Sequence, residues 1–340
     1  MKRLLLFISL FVLYGRVSAQ GESLLKPGRI VFYNVENLFD TIKDPIGHDE
    51  EFLPTSKAKW DTKKYQLKLD HISKVLASLF DSIQPIAIGL CEVETKGVLE
   101  DLIAEPALQK FNLGIIHHDS PDERGIDVAL LYNKDVIEEV FDAFLKVEFT
   151  FDPTDKTRDI IYFKGYMTEQ FPVYFFVNHW PSRRAANGDS EKKRITAAMV
   201  IKAKIEDIYK GEPFARIVVM GDLNDNPTDK SVEYLVSGRY KYPLSENLVN
   251  LMRLPQSRNE FTLKYRDEND VFDQFIVSKN LLTSESPYYI KNSAAHIYKP
   301  LWMLYDSPKY GLVPKRSYLG DFWVGGYSDH LPIYMDILFH

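Results

Sequence analysis

Residues 219–227 read Val-Met-Gly-Asp-Leu-Asn-Asp-Asn-Pro, and they are the most informative part of the chain. They continue an apolar run that begins at Ile217 and is typical of a buried strand. The chain therefore leaves a sheet with Asp222 and Asn224 at the carboxyl end of a strand, where α/β sheets place their binding residues. A turn is the alternative, because Asp and Asn favour turns and Asn226-Pro227 is a turn sequence. On this stretch alone, a site and a turn are equally supported.

Runs rich in β-branched and aromatic residues recur along the chain and predict strands. They lie at residues 30–33, 86–91, 113–116, 128–132, 160–163, 173–177, 217–220, 272–277 and 331–338. Residues 63–80 and 190–209 are amphipathic and predict helices, the second with Met199 facing inward and Lys193 outward. Many strands with few helices favour two packed sheets covered by helices over a regular βα alternation. Residues 283–327 are aromatic and irregular, and predict a long functional loop.

The first nineteen residues predict a secretory signal peptide. Lys2 and Arg3 precede an apolar run at residues 4–14, and a small-residue cleavage pattern ends at Ala19. The run is shorter than the roughly 20 residues that a membrane-spanning helix needs. We therefore expect a mature protein that is secreted or periplasmic and has no transmembrane segment.

Composition limits the class of protein further. Cys91, the only cysteine, lies in an apolar run and is expected to be a small buried hydrophobe, so disulfides do not hold the fold together. Removing the three positive charges of the leader from the formal charge of −6 leaves −9, which argues against a large nucleic-acid-binding surface. Without repeats, low-complexity tracts or linkers, residues 20–340 are predicted to form a single domain, and no obligate protein partner is evident.

Several predicted strands have polar or charged residues at one end. Polar residues follow or precede them at Asn34, Glu92, His179, Asp222 and His330. Amide and carboxylate oxygens suit a hard cation such as Mg²⁺. The histidines are too scattered for a zinc site, but beside a cation they could donate to a phosphate and transfer protons.

The order of these motifs resembles the endonuclease/exonuclease/phosphatase superfamily from about residue 28 to the C-terminus. The matching motifs are Asn34-x-Glu36, Glu92, Asn178-His179, Gly221-Asp222-x-Asn224, Asp273 and Ser328-Asp329-His330. The resemblance implies a four-layer α/β/β/α sandwich, in which two mixed β-sheets pack face to face between helices. It also implies a Mg²⁺-dependent phosphodiester hydrolase of the nuclease or nucleotide type, with Mn²⁺ and Ca²⁺ as alternative ions.

The resemblance also assigns roles to individual residues. Glu92 would hold the metal, Asn34 would contact it or its waters, and Asp329 would lie near it. The implied catalytic residues are His179, Asp222, Asn224, Asp273 and His330. Within this set, Asp222 would deprotonate the attacking water with help from Asn224, and His179 would donate to the scissile phosphate. His330, oriented by Asp273, would stabilise the charge that builds on the phosphoryl oxygens.

The substrate is less well specified than the reaction. Arg124, Arg183 and Arg184 are the candidate substrate-binding residues, and we expect the arginine pair to contact phosphate. A basic strip for nucleic acid could include that pair with Lys192, Lys193, Arg194, Lys315 and Arg316. A phosphatase or phospholipase acting on lipid or inositol phosphates is the alternative, and a non-catalytic binding protein on the same fold is less well supported.

Overall fold

The computed structural model describes residues 26–45, 49–168, 171–183, 189–237, 248–320 and 322–340. The predicted leader and Arg184 lie outside these residues. The helices of the described part are α1 (Thr62–Leu79), α2 (Lys96–Ala104), α3 (Ser190–Gly211), α4 (Lys230–Ser237) and α5 (Arg253–Ser257). Its strands are β1 (Gly28–Leu38), β2 (Gln84–Val93), β3 (Leu113–His117), β4 (Asp127–Asn133), β5 (Glu138–Leu145), β6 (Ile160–Thr168), β7 (Phe171–His179), β8 (Arg216–Asp222), β9 (Leu248–Asn250), β10 (Leu263–Tyr265), β11 (Glu268–Asp270), β12 (Asp273–Ser278), β13 (Tyr288–Ile290), β14 (His296–Ile297), β15 (Leu304–Ser307), β16 (Gly311–Pro314), β17 (Tyr318–Leu319), β18 (Phe322–Trp323) and β19 (Ile333–Phe339).

Two mixed sheets form the body of the fold. The first has the strand order β13-β19-β1-β2-β4-β3, with β14 also paired to β19, and the second has the order β5-β6-β7-β8-β12-β9. Each sheet contains one parallel pair, β1 with β2 and β7 with β8, and the remaining neighbours are antiparallel. A helix joins the members of each parallel pair, α1 in the first sheet and α3 in the second, as parallel crossovers require.

The sheets pack face to face, and helices cover their outer faces, which confirms the predicted four-layer sandwich. In β8, Val218 and Met220 point into the core shared by the two sheets, whereas Ile217 and Val219 point toward α3. Both faces of this strand are buried, which is why its sequence is continuously apolar. The sheets approach closely at Gly89 of β2, where a Cβ would lie 3.0 Å from the Met220 side chain.

The two predicted helices are present, with one error of orientation. In α1 the stripe of Leu69, Ile72, Leu76 and Leu79 is buried, and Asp61 caps the helix by accepting a hydrogen bond from the backbone N–H of Lys64 at 3.0 Å. In α3, however, the prediction for two side chains was wrong. Met199 is 50% exposed, whereas Lys193 is buried because it pairs with Asp152 and Asp155 of the loop before β6.

Every predicted strand overlaps an observed one, but residues 283–327 are not an irregular loop. They contain β13 and β14, which extend the first sheet, and the hairpins β15–β16 and β17–β18. The strands have two to four residues each, too short for an alternating pattern to show in the sequence. Cys91 is free and buried, as predicted. Among the described residues, no helix is long and apolar enough to cross a bilayer.

Candidate active site

The polar strand ends lie together at one edge of the sandwich. β7 and β8 run parallel, so their last residues, His179 and Asp222, are register partners. β12 runs antiparallel to β8, and its first residue, Asp273, is paired directly with Asp222. The antiparallel strand β19 likewise begins at the edge where β1 and β2 end. This topology brings together Asn34, Glu92, His179, Asp222, Asp273 and His330.

The Asp222 carboxylate is the centre of this group. Its Oδ2 accepts a hydrogen bond from Asn34 Nδ2 at 3.0 Å and lies 3.7 Å from the Nε2 atoms of both His179 and His330. Its Oδ1 accepts from the backbone N–H of Asn224 at 2.9 Å. Burial raises the pKa of Asp222 to about 6, although the positive charge of His330 opposes the shift. A carboxylate fixed in this way, with a pKa near neutrality, is suited to take a proton from water.

His330 is held by a buried carboxylate. Its Nδ1 and Asp273 Oδ2 are 2.7 Å apart, and its backbone N–H donates to Ser328 Oγ at 3.0 Å. Burial by itself would lower the pKa of His330. The negative charges of Asp273 and Asp222 outweigh burial and raise this pKa well above its usual value. His330 therefore presents a charged Nε2–H toward the space beside Asp222, where a phosphoryl oxygen could accept it.

His179 has the opposite protonation preference. Burial lowers its pKa well below the usual value, and the charges of Arg158 and Arg124 lower it further. Its Nε2 lies 3.7 Å from Asp222 Oδ2 and 4.0 Å from Glu92 Oε1, while Nδ1 is buried with no hydrogen-bond partner among the described residues. The two histidines thus prefer opposite protonation states while facing the same carboxylate.

Acidic and histidine side chains at this edge could hold a metal ion. Glu92 Oε2 accepts a hydrogen bond from the backbone N–H of Asn37 at 3.1 Å, and its Oε1 faces His179. Asn34 Oδ1 accepts from the backbone N–H of Glu36 at 2.9 Å, which leaves one lone pair of that carbonyl oxygen. This all-oxygen donor set fits a hard cation such as Mg²⁺.

Other groups could also contribute to metal binding. Ligand atoms of Asp222, Asp273 and His330 all lie within 4.8 Å of one another, as do those of His117, Asp119 and Asp127. Asp329, the other predicted metal-site residue, accepts a hydrogen bond at Oδ2 from Arg316 Nη2 at 2.7 Å. The first of these clusters is at the centre of the site, and His179 Nε2 approaches both this cluster and Glu92, at 3.7 Å from Asp222 Oδ2 and 4.0 Å from Glu92 Oε1.

The candidate substrate arginines do not behave alike. Arg124 Nη2 donates to Asn37 Oδ1 at 2.9 Å, which places it beside Glu92. Arg183 donates through Nε to Asn224 O at 2.9 Å and to Asp225 Oδ1 at 3.2 Å, and it also pairs with Asp229. Its guanidinium is therefore committed to the loop that follows β8. Arg184 lies outside the described residues, so its role stays a prediction.

The predicted basic strip is largely neutralised within the protein. Arg194 is buried and donates through Nε to Asp225 Oδ2 at 2.6 Å, and Lys193 pairs with Asp155. Lys192 pairs with Asp189 at 2.7 Å. Lys193 and Arg194, like Arg183, therefore stabilise loops rather than forming an open surface for a phosphate backbone, whereas the Lys192 side chain remains 67% exposed.

Arg158 is a functional neighbour that the sequence did not indicate. It donates through Nε to His179 O at 3.2 Å, through Nη2 to Trp180 O at 3.0 Å and through Nη1 to Asp122 Oδ2 at 2.7 Å. It thereby fixes the backbone at the end of β7. Its partners are 21 to 36 positions away in sequence, and no local pattern marks it.

Lys68 is a second buried cation that was missed. Its Nζ donates to Ser317 Oγ at 2.6 Å and to Tyr327 O at 2.8 Å, and the side chain is fully buried. These bonds tie α1 to the segment that leads into His330. The sequence did contain an indication that Lys68 is buried and paired. It lies one turn before Ile72 on the apolar stripe of α1, where an unpaired lysine is rarely found.

The comparisons with known proteins agree with this fold. A family model described as "Endonuclease/Exonuclease/phosphatase family" matches residues 29–338. A search of curated proteins found no match. Among solved structures, a family protein from Bacteroides thetaiotaomicron is 17% identical, with a TM-score of 0.58, over 94% of this chain and 97% of its own.

Two other solved structures show how varied the similar proteins are. The Bacteroides thetaiotaomicron VPI-5482 mannosyl-6-phosphatase is 16% identical, with a TM-score of 0.56, over 92% of this chain and 100% of its own. D. rerio TDP2, complexed with a single-strand DNA product, is 14% identical, with a TM-score of 0.54, over 92% of this chain and 98% of its own. At these identities the similarity shows a shared fold.

Proposed function

The chain belongs to the endonuclease/exonuclease/phosphatase family, and we propose that it is a metal-dependent hydrolase of small phosphoesters. The observation that carries the proposal is the Asp222 carboxylate, 3.7 Å from two histidines of opposite protonation preference. A non-catalytic binding protein would have no need for this arrangement at six converging strand ends.

The protein residues divide the reaction between them. Asp222 orients the water and accepts its proton, and the Asn34 and Asn224 hydrogen bonds keep the carboxylate in place. His330, charged by its pairing with Asp273, donates to the phosphoryl oxygen on which charge builds. His179, whose Nε2 lies 3.7 Å from Asp222 Oδ2, donates to the scissile phosphate. Arg158 does not touch the substrate, but positions the backbone that carries His179.

A cation would be held by Glu92, with Asn34 and Asp329 contacting it or its waters. Bound there, Mg²⁺ would neutralise developing negative charge on the phosphoryl group. The oxygen-only ligands support Mg²⁺ over softer metals, and Mn²⁺ and Ca²⁺ are the alternatives.

Charge distribution supports a small substrate over a nucleic-acid duplex. Three of the cations predicted to form a strip, Arg183, Lys193 and Arg194, are paired with Asp225, Asp155 and neighbouring carboxylates. A duplex-binding surface needs several unpaired cations, because phosphate contacts supply most of its affinity. The similarity to a mannosyl-6-phosphatase and to a protein complexed with a DNA product leaves both monoesters and diesters as candidates.

A substrate panel tests the proposal. Methyl phosphate, bis-4-nitrophenyl phosphate, hexose 6-phosphates, single-stranded DNA and duplex DNA would be assayed with Mg²⁺, Mn²⁺, Ca²⁺ or EDTA. Asp222→Asn serves as the inactive variant, and Asp81→Asn, an exposed residue in the turn between α1 and β2, is the matched control. We expect metal-dependent turnover that Asp222→Asn abolishes and Asp81→Asn retains. Turnover by the purified Asp222→Asn variant that equals the wild-type rate would refute the assignment of Asp222 as the base.

We also propose that the protein is exported, which bears on the substrates it meets. The support is the sequence pattern of residues 1–19 alone. Intact mass and fractionation from the native host test it, with Gln20 expected at the N-terminus. A cytosolic protein that retains residues 1–19 would contradict export and make intracellular nucleic acid an accessible substrate.

A further inference from the structure

A cavity of about 470 Å³ lies directly beside the candidate active site. Its volume falls in the ~300–1,000 Å³ range of small-molecule sites. Three segments line it: the end of β1, residues 50–60 before α1, and the hairpin β17–β18. None of the catalytic residues assigned above is in its lining.

The cavity and the phosphate site share a wall. Glu36 and Asn37 line the cavity, and the backbone N–H groups of the same residues donate to Asn34 Oδ1 at 2.9 Å and Glu92 Oε2 at 3.1 Å. A phosphate near Glu92 would therefore be separated from the cavity only by the backbone of Glu36 and Asn37. The cavity is therefore close enough to the phosphate site for one small substrate to contact both.

The aromatic side chains of the lining are fixed in position by packing and hydrogen bonds. Phe52 stacks on Phe39 with ring centroids 4.2 Å apart and meets the edge of Trp60 at 6.0 Å. Trp60 Nε1 donates to Phe39 O at 3.0 Å, and Tyr318 OH donates to Ala58 O at 3.3 Å. Because one face of Phe52 is already covered and Trp60 is buried, the walls offer ring edges rather than an open platform for a nucleobase.

Polar groups in the lining suit hydroxyls. The Ser56 hydroxyl is buried and has no hydrogen-bond partner among the described residues, so it lacks the bond that a buried hydroxyl normally makes. Glu36, Glu50 and Glu51 bring carboxylates to the lining, and Lys57 brings one ammonium group. The three carboxylates outnumber this single cation, and they accept from the hydroxyls of a neutral ring and repel additional phosphates, which disfavours the chain of a nucleic acid.

We propose that this cavity binds the sugar of a sugar phosphate monoester, whose phosphate occupies the site around Asp222. The inference rests on the proposed hydrolase function and names its substrate class. In the reaction, the water oxygen bonds to phosphorus as the bond from phosphorus to the sugar oxygen breaks. Asp222 takes a proton from the water and a proton returns to the sugar oxygen, so the products are the free sugar and inorganic phosphate.

The kinetic test uses two substrates with similar leaving groups. D-mannose 6-phosphate and D-glucose 6-phosphate would be compared with methyl phosphate, which is also a primary alkyl ester but has no ring. We expect a higher kcat/KM for at least one hexose phosphate. The measured quantity is the kcat/KM of the hexose phosphate divided by that of methyl phosphate. This ratio should fall about 3–10-fold in Ser56→Ala, which loses a neutral hydrogen bond. It should fall about 10–100-fold in Glu51→Ala, which loses a charged one.

Matched controls are Ser237→Ala in α4 and Glu100→Ala in α2, which are exposed and lie outside the lining. These variants should keep the wild-type ratio. An unchanged ratio in both cavity variants would overturn the proposal, as would a wild-type preference for adenosine 5′-monophosphate over both hexose phosphates.

Binding separates this inference from the hydrolase function. Titration calorimetry of D-mannose 6-phosphate and D-glucose 6-phosphate in EDTA measures occupancy of the cavity without turnover. Binding that Glu51→Ala weakens and Glu100→Ala retains supports the cavity even if every phosphoester in the panel resists hydrolysis. Turnover of methyl phosphate without any binding or preferential hydrolysis of the hexose phosphates would leave the hydrolase proposal intact and refute the sugar site.

Discussion

Asp273→Asn tests whether a buried carboxylate keeps His330 charged. The two side chains are 2.7 Å apart and almost completely excluded from solvent, so Asp273 is the nearest compensation for the imidazolium charge. Asparagine has nearly the same volume, and its amide oxygen can still accept from Nδ1–H. The substitution therefore removes charge more than packing, and its effect should depend on whether His330 is protonated.

The sign of the pH dependence follows from the raised pKa of His330. A group whose pKa is raised on folding contributes stability that is fully present below its unfolded pKa, near 6.5, and is lost as pH rises through the folded pKa. Removing one partner of a buried ion pair costs about 3–5 kcal/mol. We expect Asp273→Asn to lower the free energy of unfolding by about 3 kcal/mol at pH 6, and by less than about 1 kcal/mol once His330 is neutral.

Urea unfolding of the metal-free protein in EDTA, at pH 6 and pH 9.5, measures this difference. Asp81→Asn, the same substitution at an exposed position far from the site, should leave the unfolding free energy unchanged at both values. Turnover at neutral pH should fall by about 10²–10⁴-fold in Asp273→Asn, because His330 then donates less strongly to the phosphoryl group. A destabilisation that is larger at pH 9.5 than at pH 6 would refute the charged His330.

Three further substitutions test the other parts of the site. Glu92→Ala should raise the Mg²⁺ concentration needed for half-maximal activity while leaving the circular dichroism spectrum unchanged; wild-type activity at sub-millimolar Mg²⁺ would show that Glu92 is not a ligand. Asp222→Asn should lower kcat about 10²–10⁴-fold with little change in KM, and an effect confined to KM in steady-state assays would make Asp222 a binding group. Lys68→Met should lower the unfolding free energy by about 1.5–3 kcal/mol, because it removes the hydrogen bonds of Lys68 to Ser317 and Tyr327. The exposed control Lys63→Met should show no such loss in urea titrations.

The sheets were predictable where a strand is buried on one or both faces. β8 has an unbroken apolar run because α3 covers one face and the other sheet covers the second. β5 was not predicted, since Glu138, Glu139 and Phe141 are exposed at the edge of its sheet and give no alternation. The short strands of residues 283–327 likewise depend on pairing with β19 and with each other, which local sequence does not specify.

The site was predictable to the extent that its residues lie at strand ends. Asp222 and His179 could be located in this way, because a strand and the polar residue after it are neighbours in sequence. Arg183 could not, since its partners Asp225 and Asp229 lie more than 40 positions away. A sequence pattern shows that an arginine follows a strand, but the carboxylates that compete for it depend on tertiary structure.

Backbone distortion connects the phosphate site to the cavity. Glu36, Asn37, Glu92 and Asn224 all have positive φ, between 48° and 62°, in the left-handed region where a non-glycine residue costs roughly 1–3 kcal/mol. Two register breaks coincide with the first three of these residues, after Asn34 in the pairing of β1 with β2 and after Cys91 in the pairing of β2 with β4.

These distortions account for the directions of the side chains. A bulge re-aims the residues that an undistorted ladder would alternate between the two sheet faces. The bulge in β2 turns Glu92 toward His179, and the bulge in β1 lines the cavity with Glu36 and Asn37 while directing their N–H groups at Asn34 and Glu92. The same two bulges thus build the metal-binding edge and the wall of the cavity, which is why we expect phosphate and sugar to be recognised as one unit.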